Sequence, residues 1–500
     1  MDAQLDPDRT EWDVIVIGGA PPGENAAQYA TQFSGLSAVI VEKDLVGGEC
    51  SYWACMPSKA LLRPVELFSA ARAMPGIANV LRGASIDVAS VLARRDRIVN
   101  NHDDTSQVQW ALNNKIDVIR GHARLDGPRT VTVSTSDGGT RTITAKHAVV
   151  LDSGSRAAIP PVSGLREARP WISRDATNLH EVPNRVLLCG GGVVACEAAT
   201  WLIGLGAEEV TIVEGGPRLL GRLEPFASDL VHESLEAAGV KVCLDTRVGA
   251  VSRREVNDAG DGWLHGGEVT VTLDNGETIM ADEILVAAGR TPNSDDVGLE
   301  TVGLKPGGFV DVDDHFAVKG VDGEWLYAIG DLIGRALLTH MGKYQARLCG
   351  EVIAARATGK PLDEGSYNAY TDLADHGAVP QVTFTDPEVA SVGLTEQDAR
   401  GQGFDVETVE YDLASLAGTY VLDENYKGRA KLVIDRAGDR LIGATFAGAG
   451  TAELLHSATV AVVGRVSIGA LWHAVPSYPT VSEIWLRFLE TLQQQRRRSS

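Results

Sequence analysis

The chain has 500 residues, 44% hydrophobic and 22% charged, ordinary proportions for a soluble globular protein and enough length for about three domains. A formal net charge of −22 argues against nucleic acid and anionic membrane surfaces as partners. Six cysteines form no secreted disulfide framework, so the chain reads as cytoplasmic, where a close cysteine pair is more often catalytic than structural.

The opening segment, MDAQLDPDRTEWDVIVIGG, is acidic before its apolar run, and that run is too short for a signal peptide core or a membrane span. Residues 13–43 then read as an apolar strand, a glycine turn, a helix and a second strand ending at Glu42. Gly18, Ala20 and Gly23 occupy the three positions of a G-x-G-x-x-G pattern, with alanine in the middle. Residues 184–216 repeat the order with Gly190, Gly192 and Ala195, ending at Glu214. In both, glycine lets the backbone approach a pyrophosphate, the helix N-terminus supplies N–H groups, and the acid accepts from a ribose hydroxyl. Two such units in strand–turn–helix context predict two dinucleotide sites.

Between them lies GGECSYWACMPSKALLRP, residues 47–64, with Cys50 and Cys55 five residues apart. On an ideal helix that spacing separates Cα atoms by roughly 8–9 Å, whereas a disulfide needs about 4.4–6.8 Å. Either the thiols never meet, or the helix is bent to let them meet. Pro57, which lacks an N–H and would clash with the carbonyl of Trp53, favours the bend. Further on, residues 62–120 read mainly as helices and 129–152 as strands. EILVAAGRTPN (283–293) is a strand entering a turn, and WLYAIGD (325–331) is a strand ending at Asp331. From about residue 370 the chain is strand-rich, with helices after Thr451 and a frayed tail, QQQRRRSS.

Together these segments resemble the pyridine nucleotide–disulfide oxidoreductases: dihydrolipoamide dehydrogenase, glutathione reductase and mercuric reductase. The resemblance covers roughly residues 12–490 and includes both fingerprints, the cysteine pair with PSKALL, AAGRTPN, YAIGD and FTDPEVASVGLTE. It implies an α/β fold with two Rossmann-like dinucleotide-binding domains and a C-terminal α+β dimerisation domain. The expected division is 1–155 and 284–368 for FAD, 156–283 for NAD(P), 369–490 for dimerisation, and a tail at 491–500. FAD is expected on the first fingerprint, with Asp331 at its ribitol chain, and NADH (or NADPH) on the second. Gly48, Gly154 and Gly289 join the cofactor-binding set. Cys50 is implied as the interchange thiol and Cys55 as the charge-transfer thiol, forming a disulfide that accepts an electron pair from reduced flavin. Lys59 and Glu197 match the family's ion pair beside the flavin. The last domain is implied to form a homodimer and contribute to the partner's active site.

The sequence departs from the family near its end. Disulfide-reducing members carry His-Pro-Thr-x-Ser-Glu, and the histidine shuttles the proton. Here the segment is YPTVSE, with Tyr478 at the histidine position and Glu483 retained. Histidine ordinarily titrates near 6.5 and tyrosine near 10, so a phenol used as a base at neutral pH costs about 5 kcal/mol. Tyr478 is therefore the better donor. His473, five residues earlier, reads as a surface or interface histidine. Mercuric reductases resemble the chain at Tyr478 but add a C-terminal cysteine pair, and no cysteine follows Cys349 here. No resident metal site is expected. Tyr52 and Trp53, bulkier than the family's residues between the cysteines, read as packing groups.

The leading expectation is an NAD(P)H-dependent flavoenzyme with an active disulfide. Its small-molecule electron acceptor would be one that needs no imidazole: a quinone, a soft metal ion or an activated disulfide. The alternatives are a dihydrolipoamide dehydrogenase or low-molecular-weight disulfide reductase rescued by His473, and a flavin-bearing redox sensor.

Overall fold

The computed structural model describes residues 8–136, 138–257 and 259–499; the acidic opening segment 1–7 lies outside them. The chain divides into two compact units. The first comprises the chain up to Pro57, Asp96–Ala157 and Arg290–Asp375, and the second Ser58–Arg95, Ala158–Gly289 and His376–Ser500.

In the first unit, strand β1 (Glu11–Ile17) passes through helix α1 (Pro21–Thr31) to strand β2 (Ala38–Glu42), which pairs parallel to β1. Val14–Ile17 of β1 and Ala38–Val41 of β2 are continuous apolar runs because helices and neighbouring strands bury both their faces. Ala20 caps α1 in an extended conformation and Pro21 follows at the first helical position, where a missing N–H costs nothing. The long strand Thr140–Leu151 pairs parallel to β1 on its other side. Leu326–Ala328 adds to that strand in register Leu326↔Val149, which brings the turn Gly330–Ile333 to the end of the sheet near β1. Helix Thr339–Ala357 lies against α1 so closely that a Cβ on Gly350 would stand 2.7 Å from the Tyr29 Cβ.

The cysteine segment differs from the single bent helix expected. Helix α2 (Gly48–Tyr52) ends at Trp53, whose φ of −132° leaves the helical region, and α3 (Cys55–Ala73) starts afresh. Pro57 is the third residue of α3, inside a first turn whose N–H groups have no helical partner. The proline therefore sits at a helix start and does not kink a continuous helix.

In the second unit, a four-stranded parallel sheet runs in the order Lys241–Cys243, Glu209–Val213, Arg185–Cys189, Glu283–Val286. The helix Val193–Gly204 crosses between its first two strands in sequence. A three-stranded antiparallel sheet (residues 248–281) and a five-stranded antiparallel sheet (residues 380–447) complete the unit. The expected frayed tail is instead the end of helix Ile484–Ser499, held by Arg496 on Glu407 (2.7 Å) and Asp439 (3.0 Å). No helix among the described residues is long and apolar enough to cross a membrane.

Candidate active site

The first fingerprint is close-packed backbone. Gly18 has φ +107°, and a Cβ there would stand 2.1 Å from the Asp152 carbonyl oxygen. One on Gly23 would stand 2.2 Å from the Gly18 carbonyl, so neither position admits a side chain. Glu42 closes the β2 end: its carboxylate accepts the N–H of Gly19 and of Asp44, each at 2.7 Å. Gly48, at φ +56°, brings the cysteine segment against Ala20, and the Gly47 amide donates to the Gly19 carbonyl at 2.7 Å. Around Gly154 (φ +67°) a Cβ would meet nothing within 4 Å, leaving space beside the sheet end. Asp331 lies there too, with Ser155 donating to its Oδ2 and Arg290 3.5 Å away. Burial pushes the Asp331 carboxyl up, and Arg290 and Ser155 oppose that shift. A glycine-lined helix start, the Glu42 carboxylate at the end of β2 and open volume beside Gly154 fit a bound dinucleotide such as FAD.

Cys50 and Cys55 are both half-buried, one on each helix of the broken segment. The Cys55 sulfur lies 3.4 Å from the Thr339 hydroxyl, at the first residue of helix α3. Tyr52 and Trp53 are 2% and 7% exposed and pack on each other at 5.6 Å between ring centroids, as packing groups should. Burial pushes the Tyr52 phenol up to about 12.

The second fingerprint repeats the first. Gly190 has φ +110°, and a Cβ there would stand 2.6 Å from the Ala287 carbonyl oxygen. At Gly192 and Gly289 an added Cβ would meet nothing within 4 Å, a cradle open to a ligand at the helix start. Ala195 is fully buried in the following helix. Glu214 accepts the N–H of Gly191 at 2.5 Å and of Gly216 at 2.6 Å, as Glu42 does in the first unit.

In the same unit, Lys59 Nζ meets Glu197 Oε2 at 2.7 Å and lies 4.6 Å from the Phe384 ring centroid. The other oxygen of Glu197, a residue 4% exposed, accepts the Phe384 N–H at 2.9 Å. Tyr478, by contrast, is 74% exposed. Glu483, five residues on, is buried, and its Oε1 is bound by Arg487 at 2.6 Å. Its Oε2 is buried with no hydrogen-bond partner among the described residues.

Sequence reading missed Asp152, Arg290, Thr339, Phe384 and Arg487. Arg290 and Phe384 stand inside the motifs AAGRTPN and FTDPEV, and Arg487 is one helical turn from Glu483, so these three had a local signal. Asp152 and Thr339 carried none, because their partners are 129 and 284 residues away.

The family model "Pyridine nucleotide-disulphide oxidoreductase" matches residues 12–348, and its dimerisation-domain model matches 379–487. The dihydrolipoyl dehydrogenase of Chlorobaculum tepidum is 32% identical over 96% of this chain and 97% of its own. That of Rhizobium etli is 30% identical over 94% and 96%, and the leghemoglobin reductase of Vigna unguiculata is 29% identical over 95% and 86%. Among solved structures, LpdA of Mycobacterium tuberculosis superposes with a TM-score of 0.80 at 22% identity, covering 97% of this chain and 99% of that one. The flavoprotein disulfide reductase RclA of Escherichia coli, as its Cu(II) complex, gives 0.79 at 21% over 96% and 99%. These two establish likeness of fold, with two Rossmann-like domains and a dimerisation domain. The chain belongs to the pyridine nucleotide-disulphide oxidoreductases, enzymes that bind FAD and NAD(P)H.

Proposed function

We propose that this oxidoreductase passes an electron pair from NADH through FAD to a Cys50–Cys55 disulfide and on to a small-molecule acceptor that needs no imidazole base. A quinone, a soft metal ion or an activated disulfide meets that requirement. Bound FAD supplies the hydride-accepting redox chemistry that side chains lack. Cys55, at the start of a 19-residue helix with the Thr339 hydroxyl at 3.4 Å, is placed to be held as a thiolate. Cys50 meets the acceptor. Lys59 is ion-paired with Glu197, and Glu42, Asp331, Gly18, Gly23, Gly48 and Gly154 bind FAD. Glu214, Gly190, Gly192, Ala195 and Gly289 bind the nicotinamide nucleotide. Residues 1–155 with 284–368 form the FAD domain, 156–283 the nucleotide domain, and 369–490 the interface of a homodimer.

One observation carries the choice of acceptor. The position of the proton-shuttling histidine holds Tyr478, and the carboxylate that would orient an imidazole is already engaged by Arg487 at 2.6 Å. Curated relatives at 30–32% identity over nearly the whole chain favour a second reading, dihydrolipoyl dehydrogenase, with His473 as the base. An anaerobic NADH titration followed by a panel of lipoamide, common disulfides, quinones and Hg(II) separates the two. Fast lipoamide reduction that disappears in His473→Ala would select the second reading over the first. Nucleotide binding without turnover of any acceptor would point to a redox sensor.

A further inference from the structure

We propose that Asp152 works in FAD binding as a neutral carboxylic acid, accepting the Gly23 amide and donating its own proton to a phosphate oxygen of the dinucleotide. The inference rests on the reading that FAD occupies the first fingerprint. Asp152 directly follows the strand Thr140–Leu151, and its N–H donates to the Ile17 carbonyl at 2.8 Å. Its side chain reaches under the fingerprint turn, where Oδ2 accepts the Gly23 N–H at 2.6 Å. Its Oδ1 lies 2.9 Å from where a Cβ on Gly330 would stand. Gly23 and Gly330 therefore wall a slot filled by this one carboxyl, on a residue only 3% exposed.

The charges facing it are nearly all acidic: Glu24 on α1, Glu42 on β2 and Asp331 on the turn Gly330–Ile333. The cations nearby serve other carboxylates, Lys343 of the helix Thr339–Ala357 facing Glu24 and Arg290 facing Asp331. No lysine or arginine hydrogen-bonds Asp152 among the described residues. An ionised carboxylate here would share one helix start with the phosphates, two buried anions on the same few N–H groups. Burial and its acidic neighbours push the Asp152 carboxyl far up, outweighing the Gly23 hydrogen bond. A protonated carboxyl removes the repulsion and turns it into a donor.

The sign follows from linkage. If FAD raises the pKa of Asp152 further, the cofactor is held most tightly at low pH, and the gain is lost as pH rises through the pKa of the FAD-bound form. The test heats the holoenzyme from pH 5.5 to 9 and follows flavin fluorescence on release, comparing wild type with Asp152→Asn and Asp152→Ala. Far-ultraviolet circular dichroism checks each fold. The amide of Asp152→Asn still accepts and donates but does not titrate. Expected is FAD retention at low pH like wild type, without the loss at high pH that wild type shows. Asp152→Ala should bind FAD about tenfold or more weakly than wild type at low pH, the loss of a hydrogen bond to a charged group, and should not share the wild-type decline at high pH. The wild-type pH dependence persisting in Asp152→Asn would overturn the proposal, as would wild-type FAD affinity in Asp152→Ala at low pH. Gly23→Val separates the two readings. If it keeps FAD, the placement of the cofactor fails and the proposal falls with it. If it loses FAD while Asp152→Asn titrates like wild type, the proposal alone fails.

Discussion

Replacing Lys59 by methionine removes the cation from Glu197 while keeping most of the stem. Glu197 has a side chain only 5% exposed, and the substitution deprives its Oε2 of a partner at 2.7 Å. An uncompensated buried charge costs about 3–5 kcal/mol. Two features reduce that here. Glu197 Oε1 keeps the Phe384 N–H at 2.9 Å, and the Lys59 side chain is 36% exposed, so water reaches the vacated position. The contact of Lys59 with the Phe384 ring contributes about 0.5–1 kcal/mol at such partly exposed sites, and a methionine sulfur recovers part of it. The expected net loss is about 2 kcal/mol. Urea unfolding of the holoenzyme followed by circular dichroism measures it as a lower midpoint at unchanged slope. Glu197→Gln in the same chain neutralises the orphaned group while preserving the Phe384 hydrogen bond, so the double variant should be more stable than Lys59→Met alone. A Lys59→Met midpoint equal to wild type, or a double variant less stable than the single one, would refute this account of the pair.

Tyr478→His should raise lipoamide reduction by about tenfold, short of the 10²–10⁴ of a full acid–base group, since Glu483 offers an imidazole only its Oε2; steady-state kcat decides it, and Tyr478→Phe should leave FAD reduction by NADH unchanged. Resting Cys50→Ser should show a long-wavelength thiolate–flavin absorption band without reductant, and Cys55→Ser should never show it; visible spectra of the two proteins reverse or uphold the thiol assignment. NADH should exceed NADPH in kcat/KM, because a 2′-phosphate would meet the Glu214 carboxylate; a clear NADPH advantage would count against that placement. Glu24, half-buried in the first turn of α1, is pushed up to about 7 from 4.5 by desolvation. Its contribution to stability is full below pH 4.5 and is lost as pH rises through 7, so Glu24→Gln should gain on wild type, by on the order of 2–3 kcal/mol at pH 8 and little at pH 4.5, in urea midpoints across that range.

Both fingerprints were legible because their chemistry is local. Gly18 and Gly190 need positive φ and a backbone approach no side chain permits, and each acid lies one strand away. The packing role of Tyr52 and Trp53 was legible from size alone. Pro57 was misplaced because a proline has two meanings in a helix, a kink in its middle or a start in its first turn. The sequence does not say where the helix begins. The tail was misread because QQQRRR shows no apolar stripe, whereas Arg496 is pinned by Glu407 and Asp439, acids far away in the chain. Asp152 was illegible for the same reason, its role being fixed by Gly23 and by three other carboxylates gathered by the sheet.

The strand Leu326–Ala328 completes a sheet whose other members end at Leu151, and this order has a consequence during synthesis. Some 180 residues separate Leu151 from Asp331, and most of the intervening chain, Ala158–Gly289, belongs to the other unit. At about 5–20 residues per second a ribosome needs about 10–35 s to make them. Throughout that interval Val149, Val150 and Leu151, fully buried in the finished protein, present an unpaired strand edge. The nascent chain has to shield that edge, by a chaperone or by early cofactor capture, until its own last strand leaves the tunnel.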